Sequence, residues 1–62
     1  MYKETDIVNI KYGKELERYL LLLSDGIPAR DKHGFHYTVM DLMTAEVFNT
    51  TLTDHPRITK VA

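Results

Sequence analysis

Histidine is the residue type in this chain best suited to binding a metal or moving a proton. His33 and His36 lie three positions apart, with carboxylates nearby. On a helix, positions three apart share a face and could ligate one ion. On a strand they point to opposite faces. Because the residues from Phe35 onward are typical of a strand, we expect surface histidines and no metal site.

The chain also lacks a convincing nucleophile. Ser24 is the only serine, and Ser24-Asp25-Gly26 is typical of a turn. Nothing in the sequence orients a histidine and an aspartate toward it, as a catalytic triad requires. The glycines are isolated, so no phosphate-binding loop is present. We therefore expect no enzyme and no cofactor.

Basic residues suggest nucleic-acid binding as an alternative function. Proteins that bind single strands combine cations, which follow the phosphates, with aromatic rings that stack on bases. The composition argues against this function, because the chain has eight Lys and Arg but nine Asp and Glu, a net charge of −1. This charge predicts no general attraction to nucleic acid or anionic membrane. The residues that would make the contact are Arg30, Lys32, His33, Arg57 and Lys60.

Four consecutive leucines, Leu20 to Leu23, favour a different function. If this segment is a strand, both of its faces are apolar, and one small core covers only one of them. The outer pair, either Leu20 and Leu22 or Leu21 and Leu23, is then exposed. Exposed apolar patches mark sites of partner binding or self-association. The residues predicted to contact a protein partner are Leu21, Leu23, Met40 and Leu42.

The elements that position these residues centre on a predicted hairpin. Residues 35–42 and 47–52 are rich in aromatic and β-branched residues, which suit a strand. The connection, residues 43–46, has hairpin length but no Gly or Asn for a positive φ. Residues 6–12 predict a first strand, which ends at Gly13, and residues 58–61 predict a short last strand.

Residues 14–24 allow two interpretations. Leu16, Tyr19, Leu20 and Leu23 have the spacing of an amphipathic helix, which the local signals slightly favour. However, no N-cap residue precedes the segment. Its second half equally fits a strand buried on both faces. The sequence alone thus permits an α+β fold, with one helix at about 14–24 on an antiparallel sheet, or an all-β fold.

Length and composition predict one small domain over residues 1–62, with a loose N-terminus at 1–5. A chain this short buries only about 60% of its unfolded surface, and it has no cysteine to stabilise it by disulfides. No apolar run approaches the roughly 20 residues of a membrane span. The N-terminus lacks the pattern of a secretory signal, so we expect a cytoplasmic protein.

The order of these segments resembles that of small SH3-like barrels. Residues 6–14 carry the opening pattern: an acidic residue, aliphatics, a basic strand end and a glycine. An aliphatic strand, a polar loop, a strand containing Tyr37 and Val39, a Thr-x-Glu-Val turn and a short closing strand follow. The chain departs from the pattern at Ala45, where such barrels usually have glycine in the turn.

The resemblance implies an all-β, five-stranded SH3-like barrel, with residues 18–24 as a strand. Such barrels bind peptides, nucleic acids or other domains, although fold does not determine function. Many short bacteriophage proteins have this plan. The resemblance thus implies a non-enzymatic binding module that acts through protein–protein contact or self-association. It would be a phage accessory protein, in the host cytoplasm, that binds a host factor or sits in the virion.

Overall fold

The structure, a computed structural model, describes residues 2–31 and 33–61. Within these residues every regular element is a β-strand, so the predicted all-β fold is confirmed and the alternative helix at 14–24 is wrong. None of the described residues belongs to a helix long and apolar enough to cross a membrane. The strands are β1 (Ile7–Tyr12), β2 (Leu16–Leu22), β3 (Ile27–Pro28), β4 (Phe35–Asp41), β5 (Val47–Leu52) and β6 (Ile58–Lys60).

The strands form one curled antiparallel sheet that makes a half-barrel. β1 pairs with β2, β2 with β4, and β4 with β5, while β6 returns to the free side of β1. This arrangement is consistent with a small SH3-like barrel. β3, a two-residue strand in the predicted polar loop, pairs with the first residues of β4. The five predicted strands are therefore all present in the described chain, and β3 adds a short sixth.

The core lies on the concave side of the sheet. Alternation along each strand directs every second side chain inward. Leu20 and Leu22 are each 1% exposed. Two buried residues two positions apart have the spacing of a strand, which explains why this segment forms β2. As strand neighbours they share a face and pack among residues of β1 and β4, and burying each leucine contributes about 1.5–3 kcal/mol. The core cluster comprises Val8, Ile10, Leu20, Leu22, Tyr37, Val39 and Leu52.

The β4–β5 hairpin has the predicted position, with β4 ending one residue before the predicted end. Ala45, where glycine was expected, has a positive φ of 62°. Its N–H donates to the Asp41 carbonyl at 2.7 Å, and the Asp41 N–H donates to the Glu46 carbonyl at 2.8 Å. Alanine thus adopts the left-handed conformation that glycine adopts more easily.

Residues 2–5 make hydrogen bonds to the sheet, and the predicted loose end at 1–5 stays a prediction. The Thr5 N–H donates to the Leu22 carbonyl at 2.8 Å. The Tyr37 hydroxyl donates to the Tyr2 carbonyl at 3.1 Å, and the Tyr2 hydroxyl donates to the Ile58 carbonyl at 3.3 Å. Tyr2 also packs against the core. Met1 is outside the described residues.

Candidate protein-binding face

A row of aliphatic side chains crosses the convex side of the sheet, away from the core. The register places Ile7 opposite Leu21, Leu21 opposite Met40, and Met40 opposite Val47. Directly opposite residues of antiparallel strands point to the same side. These four residues, the apolar row, therefore run across β1, β2, β4 and β5 on the outer face.

Leu23 and Leu42 flank the apolar row. Each comes directly after the buried last residue of β2 or β4, so continued alternation turns it outward. The Leu23 N–H donates to the Thr38 carbonyl at 2.7 Å, and the Leu42 N–H donates to the Tyr19 carbonyl at 2.9 Å, which fixes both backbones. Leu23 is 40% exposed and Leu42 is 43% exposed. Together with the row they form the outer patch: Ile7, Leu21, Leu23, Met40, Leu42 and Val47.

The structure decides which leucine pair faces outward, a question that the sequence left open. Leu20 and Leu22 are in the core, whereas Leu21 and Leu23 are on the outer face. The residues predicted to contact a partner, Leu21, Leu23, Met40 and Leu42, all lie in the outer patch. That a partner binds there stays a prediction.

Two members of the outer patch, Ile7 and Val47, were missed from the sequence. Alternation in the first strand already sets Ile7 on the face opposite Val8 and Ile10, so it could have been found. Val47 is 56% exposed and joins the patch only through its register with Met40. No local signal in the sequence indicates that register.

Hydrogen-bonded polar side chains border the outer patch on two sides. On one side, the Asn9 amide donates to Glu17 Oε2 at 3.2 Å, and the Tyr19 hydroxyl donates to Glu17 Oε1 at 3.3 Å. On the other, the Thr38 hydroxyl donates to Asn49 Oδ1 at 2.9 Å. An apolar centre within a polar rim is the usual anatomy of a protein interface.

The histidines serve local structure. His36 Nδ1 lies 2.6 Å from Thr51 Oγ1, and the His33 N–H donates to Asp31 Oδ1 at 3.0 Å. His55 Nδ1 accepts a hydrogen bond from the Arg57 N–H at 3.1 Å. Residues 2–31 and 33–61 contain no group of three or more side chains placed to hold a metal ion.

Two tyrosines pack together at the core: Tyr37 belongs to the core cluster and Tyr2 packs against it. The ring centroids of Tyr2 and Tyr37 are 6.4 Å apart. Burial raises the pKa of both hydroxyls, because it disfavours the charged phenolate, and the charge of Asp54 adds to the shift of the Tyr2 pKa. Since both hydroxyls donate to backbone carbonyls, their role is structural.

The basic residues of the alternative function fall into two groups. Arg30 and His33 lie in the loop between β3 and β4, whereas Arg57 precedes β6 and Lys60 belongs to it. β3 pairs with β4, whereas β6 pairs with β1. The Lys60 ammonium lies 3.7 Å from Asp6 Oδ1. Lys32 is outside the described residues.

Comparison of this chain with protein-family models, curated proteins and solved structures finds no match. The resemblance to bacteriophage proteins therefore stays a prediction. The geometry of the outer face is the observation from which a function can be argued.

Proposed function

We propose that this protein is a non-enzymatic binding module that acts through protein–protein contact, with the outer patch as its binding face. One observation carries the proposal: six apolar side chains form a patch on the convex side of the sheet, where Leu23, Leu42 and Val47 are exposed and the other three are half-buried. The curl of the sheet covers the inner face. In residues 2–31 and 33–61 no element packs over the outer one. Contiguous exposed apolar surface of this kind marks an interaction site.

The patch also defines the chemistry of the partner. Its members are aliphatic side chains and one methionine, and none is charged. The partner is therefore a folded protein that presents an apolar, uncharged surface. Since burial of apolar area drives such an association, its affinity changes little with salt. Met40 suits this role because its flexible, polarizable side chain adapts to different surfaces.

The resemblance to small bacteriophage proteins extends the proposal to the biological setting. On that basis the protein is a phage accessory protein in the host cytoplasm, and its partner is a host factor or another protein of the virion. Nucleic-acid binding is the second candidate and has less support. The described basic residues lie in two groups, and Asp6 lies beside one of them. Binding through those residues would weaken steeply as salt rises.

The test is capture of partner proteins by the wild type, by Leu21→Asp and by a matched control, Thr59→Asp. Thr59 is exposed on the same outer face, opposite Asn9, and lies outside the patch. The captured partner is then purified and its affinity is measured by calorimetry. We expect the wild type and Thr59→Asp to bind it equally. Leu21→Asp should bind at least tenfold more weakly, a loss of about 1.4 kcal/mol or more.

Circular dichroism of each variant shows whether it is folded. Equal binding by wild type and folded Leu21→Asp would refute the proposal. So would unfolding of both Leu21→Asp and Leu23→Asp, because residues on an exposed face tolerate charge. Binding only to nucleic-acid probes, weakened by salt and by Arg30→Glu, would favour the second candidate instead.

A further inference from the structure

β5 presents an edge that the described chain leaves unpaired. It pairs with β4 along its whole length and with no other strand in the described residues. The Asp41 N–H donates to the Glu46 carbonyl, so Asp41 and Glu46 are one of the hydrogen-bonded residue pairs between these two chain segments. Such pairs alternate along an antiparallel ladder. The backbone groups of Val47, Asn49 and Thr51 therefore point away from β4, toward the free edge.

The bonding of β4 supports this assignment. The Thr38 carbonyl accepts a hydrogen bond from Leu23, and the Thr38 N–H donates to the Ser24 hydroxyl at 3.0 Å. Both backbone groups of Thr38 thus point away from β5. Its opposite residue, Asn49, must then direct its own backbone groups to the far side of β5.

The free edge of β5 lacks the features that normally prevent strand pairing. Natural edge strands carry charged residues, proline or a bulge, or are very short. β5 is six residues long and has neither a charge nor a proline. The opposite edge of the sheet differs, because β6 has only three residues, includes Lys60 and follows Pro56. Within the part of the chain that the structure describes, only the β5 edge is thus open to another strand along its length.

We infer that the β5 edge binds a second copy of this chain, with the two β5 strands antiparallel about a two-fold axis. A register centred on Asn49 places Val47 opposite Thr51 of the second copy. In this register the free N–H and C=O groups of Val47, Asn49 and Thr51 form the hydrogen bonds between the two copies. The side chains of these residues stay on the outer face. Every residue supplies one donor and one acceptor, so an antiparallel copy satisfies the edge.

Charge and size favour a second copy as the occupant. β5 is uncharged and the net charge is −1, so two copies meet with little repulsion. Two-fold dimers are the commonest assemblies of identical chains. A chain of 62 residues also gains burial that its small core cannot supply. In the dimer the outer faces of the two sheets become continuous.

Amide hydrogen exchange by NMR, on wild-type protein across a dilution series, tests this inference. At high concentration we expect protection of the amides of Val47, Asn49 and Thr51, and its loss on dilution. The amides of Phe48 and Thr50 bond to β4, so their protection should not change. Protection that does not depend on concentration, in a protein that light scattering shows to be monomeric, would overturn the inference.

Two lysine variants test the same edge. Asn49→Lys sets two ammonium groups opposite each other at the two-fold axis. Thr59→Lys adds the same charge to the outer face at the other edge of the sheet. We expect Asn49→Lys, checked for folding, to raise the dimer dissociation constant at least tenfold and Thr59→Lys to leave it unchanged. Equal dimerisation of the two variants would refute the inference.

This inference is separate from the proposed partner site, and Leu21→Asp distinguishes them. That variant should dimerise normally even though it no longer binds a partner. If Leu21→Asp abolishes the dimer, the copies meet through the outer patch and the edge pairing is wrong. A monomeric wild type that binds an extended peptide along β5 would show a different occupant, which also overturns the inference.

Discussion

Asp41 is the residue on which the β4–β5 turn depends. Its Oδ1 accepts hydrogen bonds from the N–H groups of Met43, at 2.8 Å, and Thr44, at 3.3 Å. Its Oδ2 lies 3.6 Å from Arg18 Nε. A buried carboxylate is tolerated when it is paired and hydrogen-bonded in this way. Asp41 thus holds the turn closed although glycine is absent from it.

Replacing Ala45 with glycine should stabilise the protein. A non-glycine residue in the left-handed region costs roughly 1–2 kcal/mol, and glycine removes most of that cost. Glycine loses some of the gain through its freer unfolded chain. We expect Ala45→Gly to raise the free energy of unfolding by about 0.5–1 kcal/mol, measured by urea denaturation.

Thr44→Gly is the matched control, because Thr44 is in the same turn and has no positive φ. It should lower stability, since glycine there gives only extra unfolded entropy and loses the Thr44 hydroxyl that accepts from the Glu46 N–H. A fall in stability for Ala45→Gly would contradict the assigned backbone conformation.

The sequence showed that alanine stands at position 45, where a turn of this type usually has glycine. It did not show the role of Asp41. From the sequence, Asp41 was one carboxylate near two histidines. Its carboxylate reaches the N–H groups of the turn only after the chain reverses direction. That depends on the conformation of the loop, for which the residue types carry no distinct signal.

At the scale of one element, the two faces of β2 should respond differently to truncation. Leu22→Ala removes a fully buried side chain, which typically costs 2–5 kcal/mol. A domain of this size has a total stability of roughly 3–9 kcal/mol, so we expect Leu22→Ala to lose a large share of its free energy of unfolding. Leu21→Ala should lower the free energy of unfolding by about 1 kcal/mol, because Leu21 is only half-buried. Urea denaturation followed by circular dichroism measures both, and equal losses would show that the two faces are equally buried.

The sequence predicted most elements but not the pairing between them. Aromatic and β-branched residues located the hairpin to within one residue, and alternation separated Val8 and Ile10 from Ile7. In residues 14–24, helical spacing and strand character coexist, and only the resemblance to SH3-like barrels favoured the strand. Pairing of Leu20 and Leu22 with distant strands decides the outcome, and such pairing cannot be inferred from a local window.

At the scale of the whole molecule, Tyr2 and Tyr37 should make stability depend on pH in the alkaline range. Burial raises the pKa of Tyr2 and Tyr37 above the usual value of about 10. The folded state therefore favours the neutral hydroxyls. This contribution is complete below pH 10 and is lost as the pH rises through the folded-state pKa values. We expect the urea midpoint to fall above about pH 10.

Tyr37→Phe and Tyr12→Phe isolate this effect from the titration of lysines. Tyr37→Phe removes one of the two buried hydroxyls, so its stability should fall less steeply above pH 10. Tyr12 is an exposed residue outside the core cluster, and Tyr12→Phe should keep the wild-type slope. An identical slope for Tyr37→Phe would exclude Tyr37 as a source of the pH dependence.

The tilted packing of Tyr2 near Tyr37 also gives the molecule an optical property. The chain has four tyrosines and no tryptophan, so tyrosine dominates its near-ultraviolet spectrum. The two rings are tilted by 54° within a fixed environment, which makes their transitions chiral. We expect the near-ultraviolet signal to weaken when Tyr2 leaves Tyr37. Near-ultraviolet circular dichroism can therefore follow the packing of Tyr2 on Tyr37 separately from the far-ultraviolet signal of the strands.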